Sequence, residues 1–208
     1  YMKAIEICAG AGGQALGLEL AGFQHVALIE IDAHACATLS LNKPEWNVLH
    51  ADVKEFSAKS YDGIDLLAGG VPCPPFSIAG KQLGRNDERD LFPEAIRLVR
   101  ECHPKAIMLE NVRGIFNPKF NDYRTLIIHQ LENLGYECSW CLVNASQFGV
   151  PQLRPRAVLI AMKKKYFRNF KWPEMGVIST PTVGETLLRE MRKNGWENAT
   201  IWARNAND

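Results

Sequence analysis

The 208-residue sequence is marked first by what it lacks. No apolar run approaches the ~18 residues that a membrane-spanning helix needs, so a membrane partner is not expected. The opening YMKAIEICAGAGG has no charged segment followed by a long apolar one, so no secretory signal is expected either. There is no internal repeat and no low-complexity tract. Excess charge of one sign is missing too, at a formal net charge of +1. What remains is an ordinary globular composition, 47% hydrophobic and 23% charged, in a chain long enough for one sizeable core.

The charge is nevertheless unevenly placed. Residues 1–150 carry 13 basic and 18 acidic side chains (net −5), whereas residues 151–208 carry 11 and 5 (net +6). A basic final third could touch an anionic partner such as nucleic acid, although from charge alone a solvated surface is the preferred reading. The six cysteines are Cys8, Cys36, Cys73, Cys102, Cys138 and Cys141. In a chain of this size with no signal they read as reduced thiols of a cytoplasmic protein. Cys138 and Cys141 form a lone C-x-x-C pair on an expected strand, which points them to opposite faces. With no second pair and no suitably spaced His, no metal is expected.

Strands and helices alternate along the chain. Apolar strands are expected at 3–8, 25–31, 46–50, 64–70 and 105–111, with later ones in YECSWCLVNA and RAVLIAMK. Helices are expected after AGAGG, in HACATLSLN, over 91–102 and over 123–135. Such βα units predict an α/β domain over 1–170, built on an open, doubly wound, mostly parallel sheet. The segment 171–208 loses that rhythm and shows one helix, around GETLLREM. It reads as an extension.

The first strand runs into Gly10-Ala11-Gly12-Gly13, at a helix start. Glycines there allow a tight turn and close backbone approach, with helix N–H groups free to bind a ligand. Glu30 closes the second strand 20 residues after Gly10, where an acid can accept both hydroxyls of a ribose. Asp52, just past the third strand, is placed to meet an adenine amino group. The first fifty residues therefore suggest a nucleoside cofactor, with a nicotinamide dinucleotide and S-adenosylmethionine both open.

Three polar groupings fall at later strand ends, where open α/β sheets bind ligands. Cys73 lies in GGVPCPPFS, among three prolines that forbid helix and two glycines that let other groups come close. Glu110-Asn111 closes the fifth strand. Gln152-Leu153-Arg154-Pro155-Arg156 precedes a later one. A proline-fixed thiol, a carboxyl and two guanidiniums beside one cofactor are hard to explain separately.

These motifs resemble the cytosine-5 DNA methyltransferase family, in order and over nearly the whole chain. Glu6-Ile7-Cys8-Ala9-Gly10-Ala11-Gly12-Gly13 is similar to its first cofactor motif. Gly70-Val71-Pro72-Cys73-Pro74-Pro75-Phe76-Ser77 is similar to its nucleophile motif. Glu110-Asn111-Val112 is similar to ENV, Gly149-Val150-Pro151-Gln152-x-Arg154-x-Arg156 to GVPQxRxR, and Arg89-Asp90-Leu91-Phe92 to the segment beside the cofactor's methionine. Glu6 and Cys8 depart from the usual Asp and Phe. That change bears on the stacking of the adenine and not on the cofactor's identity. The family's target-recognition region and final Asn-containing motif are not found by Asp208, so 171–208 is expected to lead toward a recognition region.

The resemblance implies a Rossmann-like methyltransferase fold that binds S-adenosyl-L-methionine through Cys8, Ala9, Gly10, Gly12, Gly13, Glu30, Ile31, Asp52, Val53, Pro72 and Leu91. It implies catalysis by Cys73, Glu110, Arg154 and Arg156, with Ser77, Asn111, Val112 and Gln152 on the substrate side. Cys73 is expected to attack C6 of a cytosine flipped out of double-stranded DNA, with Glu110 acting at N3 and Arg156 at O2. The polar segment 77–90 is expected to close over that base. The expected setting is a monomeric, cytoplasmic bacterial modification enzyme with no metal. A tRNA cytosine-5 methyltransferase shares these motifs, and a non-catalytic cofactor-binding member is a further alternative. A nicotinamide dehydrogenase is disfavoured, because hydride transfer has no need of the proline-fixed thiol.

Overall fold

Short β-rich apolar runs form the centre of the fold. The computed structural model describes residues 1–72, 90–176 and 179–206. Within them lie β1 (Met2–Ile7), β2 (Phe23–Glu30), β3 (Val48–His50), β4 (Leu66–Gly70), β5 (Ala106–Val112), β6 (Tyr136–Asn144) and β7 (Pro155–Lys163). These join one sheet in the order β3-β2-β1-β4-β5-β7-β6. β1 pairs in parallel with β2 and β4, β2 with β3, and β4 with β5. The expected open, doubly wound, mostly parallel sheet is thus present.

Both faces of the sheet are covered. Ile5 and Ile7 of β1 enter a core with Leu67, Ile107 and Leu109 of the neighbouring strands. That core is capped by Ala95, Leu98 and Val99 of α3 (Phe92–Cys102). The alternate side chain Ala4 joins Leu66, Ala68 and Leu18 of α1 (Gly13–Leu20) on the other face. α2 (Ala33–Asn42) starts at Asp32, whose carboxylate accepts from the Ala35 N–H at 2.8 Å. α4 (Asn121–Asn133) buries Tyr123, Ile127 and Leu131 at helical spacing.

Strand order reverses between β1 and β4, so the topological switch point lies at their carboxyl ends. The C-terminal ends of β2 and β3 flank it on one side, and that of β5 on the other.

The chain divides into two compact units, residues 1–141 with 157–170, and residues 142–156 with 171–208. The short α5 (Lys164–Phe167) falls in the first. In the second, α6 (Val183–Lys193) begins at a capping box in which Thr182 and Glu185 bond each other's backbone N–H. α7 (Ala199–Asn205) was not expected from the sequence. It depends on packing: a Cβ on Gly184 would stand 2.2 Å from the Ala203 carbonyl oxygen, so α7 reaches α6 only where a side chain is missing. Cys73, Ser77 and nearly all of the 77–90 segment lie outside the described residues.

Candidate active site

A cavity of about 270 Å³ opens at the switch point. Its lining comprises Cys8, Ile29, Glu30, Ile31, Ala51, Asp52, Val53, Gly70, Pro72 and Leu91. The turn after β1 shapes one wall. Cys8 takes a left-handed backbone (φ 53), and the Ala9 N–H donates to the Ile29 carbonyl at 3.2 Å. Gly12 precedes α1 at φ 89, and a Cβ there would stand 2.5 Å from Leu39 Cδ2. Both the dihedral and the space require glycine.

Glu30 organises this turn. Its Oε2 accepts from the Gly10 N–H at 2.7 Å, and its Oε1 from the N–H groups of Ile31 (2.9 Å) and Asp32 (2.8 Å). One buried carboxylate therefore fixes the glycine turn and the start of α2 together. Asp52 holds its own loop through Oδ1, which accepts from the Lys54 N–H at 2.9 Å. The same surroundings act on Cys8. Burial, reinforced by the charges of Glu30, Asp52 and Glu6, pushes its thiol up to about 12, so it stays protonated.

The two glycines of β4 have different tasks. A Cβ on Gly69 would stand 2.5 Å from Ile7 Cγ1 and 2.8 Å from the Ile7 carbonyl, so its bareness serves the packing of β1 on β4. A Cβ on Gly70 would meet nothing closer than Glu110 Oε2 at 3.7 Å, followed by the Cys8 carbonyl and Gln14 Oε1 at 4.0 Å each. Gly70 leaves open a small polar space bordered by Glu110. Just beyond, the Leu91 N–H donates to the Pro72 carbonyl at 3.4 Å, which joins the chain after β4 to the residue before α3. Asn111 is buried, donates from Nδ2 to the Val71 carbonyl at 3.1 Å and accepts from the Val112 N–H at 2.8 Å. Its side chain is engaged with backbone, and it fixes the end of β5 to the residue after β4.

Of the residues expected at the cofactor, Cys8, Glu30, Ile31, Asp52, Val53, Pro72 and Leu91 line the cavity. Ala9, Gly10, Gly12 and Gly13 form the turn behind it, and Glu110 and Val112 stand at the end of β5. Gln152, Arg154 and Arg156 belong to the second unit. There the Arg154 N–H donates to Asn144 Oδ1 at 2.9 Å, and an Arg156 guanidinium nitrogen donates to the Pro155 carbonyl at 2.9 Å. Sequence reasoning missed Ile29 and Ala51, each the residue before an expected acid, and Gln14. It also missed the state of Glu6, whose carboxyl burial pushes up to about 8. Among the described residues no group of three His, Cys, Asp or Glu side chains could hold a metal ion.

A parallel sheet with its cleft at the switch point between glycine turn and strand-end acids is the Rossmann-like architecture of methyltransferases, and solved structures agree. A crystal structure of Spodoptera frugiperda DNMT2 superposes at a TM-score of 0.66 with 27% identity, covering 84% of this chain and 52% of that one. An Escherichia coli prophage-encoded protein superposes at 0.77 with 30% identity, over 90% and 54%. The chain belongs to the C-5 cytosine-specific DNA methylase family, whose model matches residues 2–206. It is 62% identical over 198 residues to the Type II methyltransferase M.NgoMIV of Neisseria gonorrhoeae, covering 95% of this chain and 64% of that one. It is 52% identical over 210 residues to M.NaeI of Lentzea aerocolonigenes, covering 100% and 51%. The chain thus spans about half to under two thirds of the length of these relatives.

Proposed function

We propose that this chain carries the cofactor site and chemical apparatus of a DNA cytosine-5 methyltransferase that uses S-adenosyl-L-methionine and releases S-adenosyl-L-homocysteine. The observation that carries the reading is the switch-point cavity, where Glu30, Asp52, Pro72 and Leu91 meet in a member of this family. The residues present suit the cofactor. Glu30 has one lone-pair direction left on Oε2 for a ribose hydroxyl, Asp52 stands along the wall for the adenine edge, and Gly70 leaves room at the far end.

When bound, the cofactor supplies an electrophilic methyl group on a sulfonium. Every other step falls to the chain and the base. Cys73, as thiolate, adds to C6 of cytosine and makes C5 nucleophilic. Glu110 donates a proton or hydrogen bond at N3 and limits the charge that develops on the ring. Arg156 polarises O2, and Arg154 orients the base or the thiolate. After C5 gains the methyl group it loses its proton to a base, and the C6–sulfur bond breaks to return the Cys73 thiolate. Stacked neighbours cover the ring faces at C5 and C6 inside a duplex, so the base is extruded before attack. The extension 171–208 belongs with target recognition, in a monomeric cytoplasmic protein of a restriction–modification system.

The decisive experiment is transfer of labelled methyl from S-adenosylmethionine to duplex DNA and, separately, to tRNA, by the wild-type protein and by Cys73→Ser. Transfer to DNA that is lost in the variant is the expected result. Transfer to tRNA alone would move the substrate, and undiminished activity in the variant would remove the covalent mechanism.

A further inference from the structure

Three buried polar atoms around the start of α1 have no hydrogen-bond partner among the described residues: Nε2 of Gln14 and both carboxyl oxygens of Glu6. Unpaired buried polar atoms are rare in folded proteins, and each one needs a reason. Glu6 is 1% exposed and lies on the face of β1 that meets α1. Gln14 sits in the first turn of α1, directly after the glycine turn. The oxygen of its amide, Oε1, borders the small space that Gly70 leaves open, together with the Cys8 carbonyl and Glu110 Oε2, and Nε2 is the other arm of the same amide. Cys8 and Gly70 also line the switch-point cavity, so this space lies at the cavity's margin.

The chemistry of the space is mixed. The Cys8 carbonyl, Gln14 Oε1 and the Glu110 carboxyl are acceptors, and Gln14 Nε2 is an unused donor. Acceptors with one free amide donor suit a ligand end that carries a cation and an anion on one carbon. An α-amino acid group has that form, its ammonium facing the carbonyl oxygens and its carboxylate facing the amide N–H. A purely apolar ligand end would leave Gln14 Nε2 as costly as before.

We propose that Gln14 is the binding residue that selects for the α-amino acid end of the cofactor, its side-chain amide holding that group beside Gly70. The inference rests on the S-adenosylmethionine reading above and adds to it a determinant outside the glycine turn and the strand-end acids. It separates two ligands that share the adenosine thioether: S-adenosylhomocysteine, which has the amino-acid group, and methylthioadenosine, which lacks it.

Isothermal titration of both ligands into the wild-type chain, Gln14→Leu and Gln14→Met tests it. Loss of a hydrogen bond to a charged group predicts that S-adenosylhomocysteine weakens about tenfold or more in both variants, while methylthioadenosine stays within about twofold. Retained methylthioadenosine binding also shows that each variant is folded. Unchanged S-adenosylhomocysteine affinity, or an equal loss for both ligands, would overturn the proposal. So would equal affinity of the wild-type chain for the two ligands, which would leave the cofactor reading intact. Binding of neither ligand by the wild-type chain would overturn the cofactor reading itself, and this inference with it.

Discussion

Asn111, at the end of β5, donates its side-chain amide to the Val71 carbonyl, 3.1 Å away and two residues before Cys73. The bond joins the ENV motif to the segment that leads into the proposed nucleophile. Asn111→Ala would leave a carbonyl beside the core unpaired, with a loss of about 1–3 kcal/mol in urea unfolding. Methyl transfer should fall by more than that loss of folded protein explains, because the bond that holds Val71 to the end of β5 is lost. Activity that tracks the folded fraction alone would limit Asn111 to stability.

Gly69 and Gly70 are adjacent and should respond differently to alanine. A Cβ on Gly69 collides with the backbone of Ile7 in β1, which cannot give way cheaply. Gly69→Ala should destabilise by about 1–3 kcal/mol through overpacking. Gly70→Ala meets only contacts of 3.7 Å and beyond, so its melting temperature should stay close to wild type. Its cofactor affinity should drop, because the added methyl fills the space beside Glu110. Calorimetry on the two variants checks both outcomes.

Glu30 accepts three backbone N–H bonds with two oxygens. Glu30→Gln replaces one acceptor by an NH₂ that must face a donor. We expect a stability loss of about 1–3 kcal/mol and a weaker hold on adenosine-containing ligands, including methylthioadenosine. The dependence on ligand distinguishes Glu30 from Gln14, whose variants should spare methylthioadenosine.

Glu6 supplies a pH test. Burial raises its pKa from 4.5 to about 8. The native state therefore holds a proton there that the unfolded chain releases near pH 4.5. Between these values the native protein binds more protons than the unfolded one, so this group makes stability fall as pH rises. Above about 8 the penalty is constant. Glu6→Gln removes the ionisation, so the variant should gain on wild type by something on the order of 3 kcal/mol between about pH 5 and about pH 8. Urea unfolding of both proteins at the two pH values is the measurement. A wild-type curve parallel to that of the variant would contradict it.

Thiol reactivity should be selective. Burial raises Cys8, Cys102 and Cys138 to about 12, and raises Cys36 and Cys141 as well. All five should resist alkylation at neutral pH, since the thiolate is the reacting form. Brief iodoacetamide treatment followed by peptide mass spectrometry should label Cys73 first. Faster labelling of any of the five would count against Cys73 as the activated thiol.

The sequence by itself determined the architecture and the motifs. Apolar runs bounded by turn residues placed the strands to within two residues at most ends, because strands buried on both faces must be continuously apolar. The glycine turn and Glu30 were legible because only glycine tolerates φ 89 beside Leu39 and only an acid can gather three N–H donors. Tertiary structure alone decided what depends on neighbours distant in the chain. Gly69 serves Ile7 while Gly70 faces Glu110, although the two are adjacent and identical in sequence. Asn111 is turned onto Val71, 40 residues away, and α7 approaches α6 closely where Gly184 has no side chain. The unpaired Glu6 and Gln14 atoms are likewise invisible in one dimension. Whether a polar group is satisfied depends on what the folded chain brings against it, and periodicity and motif spacing carry no record of that.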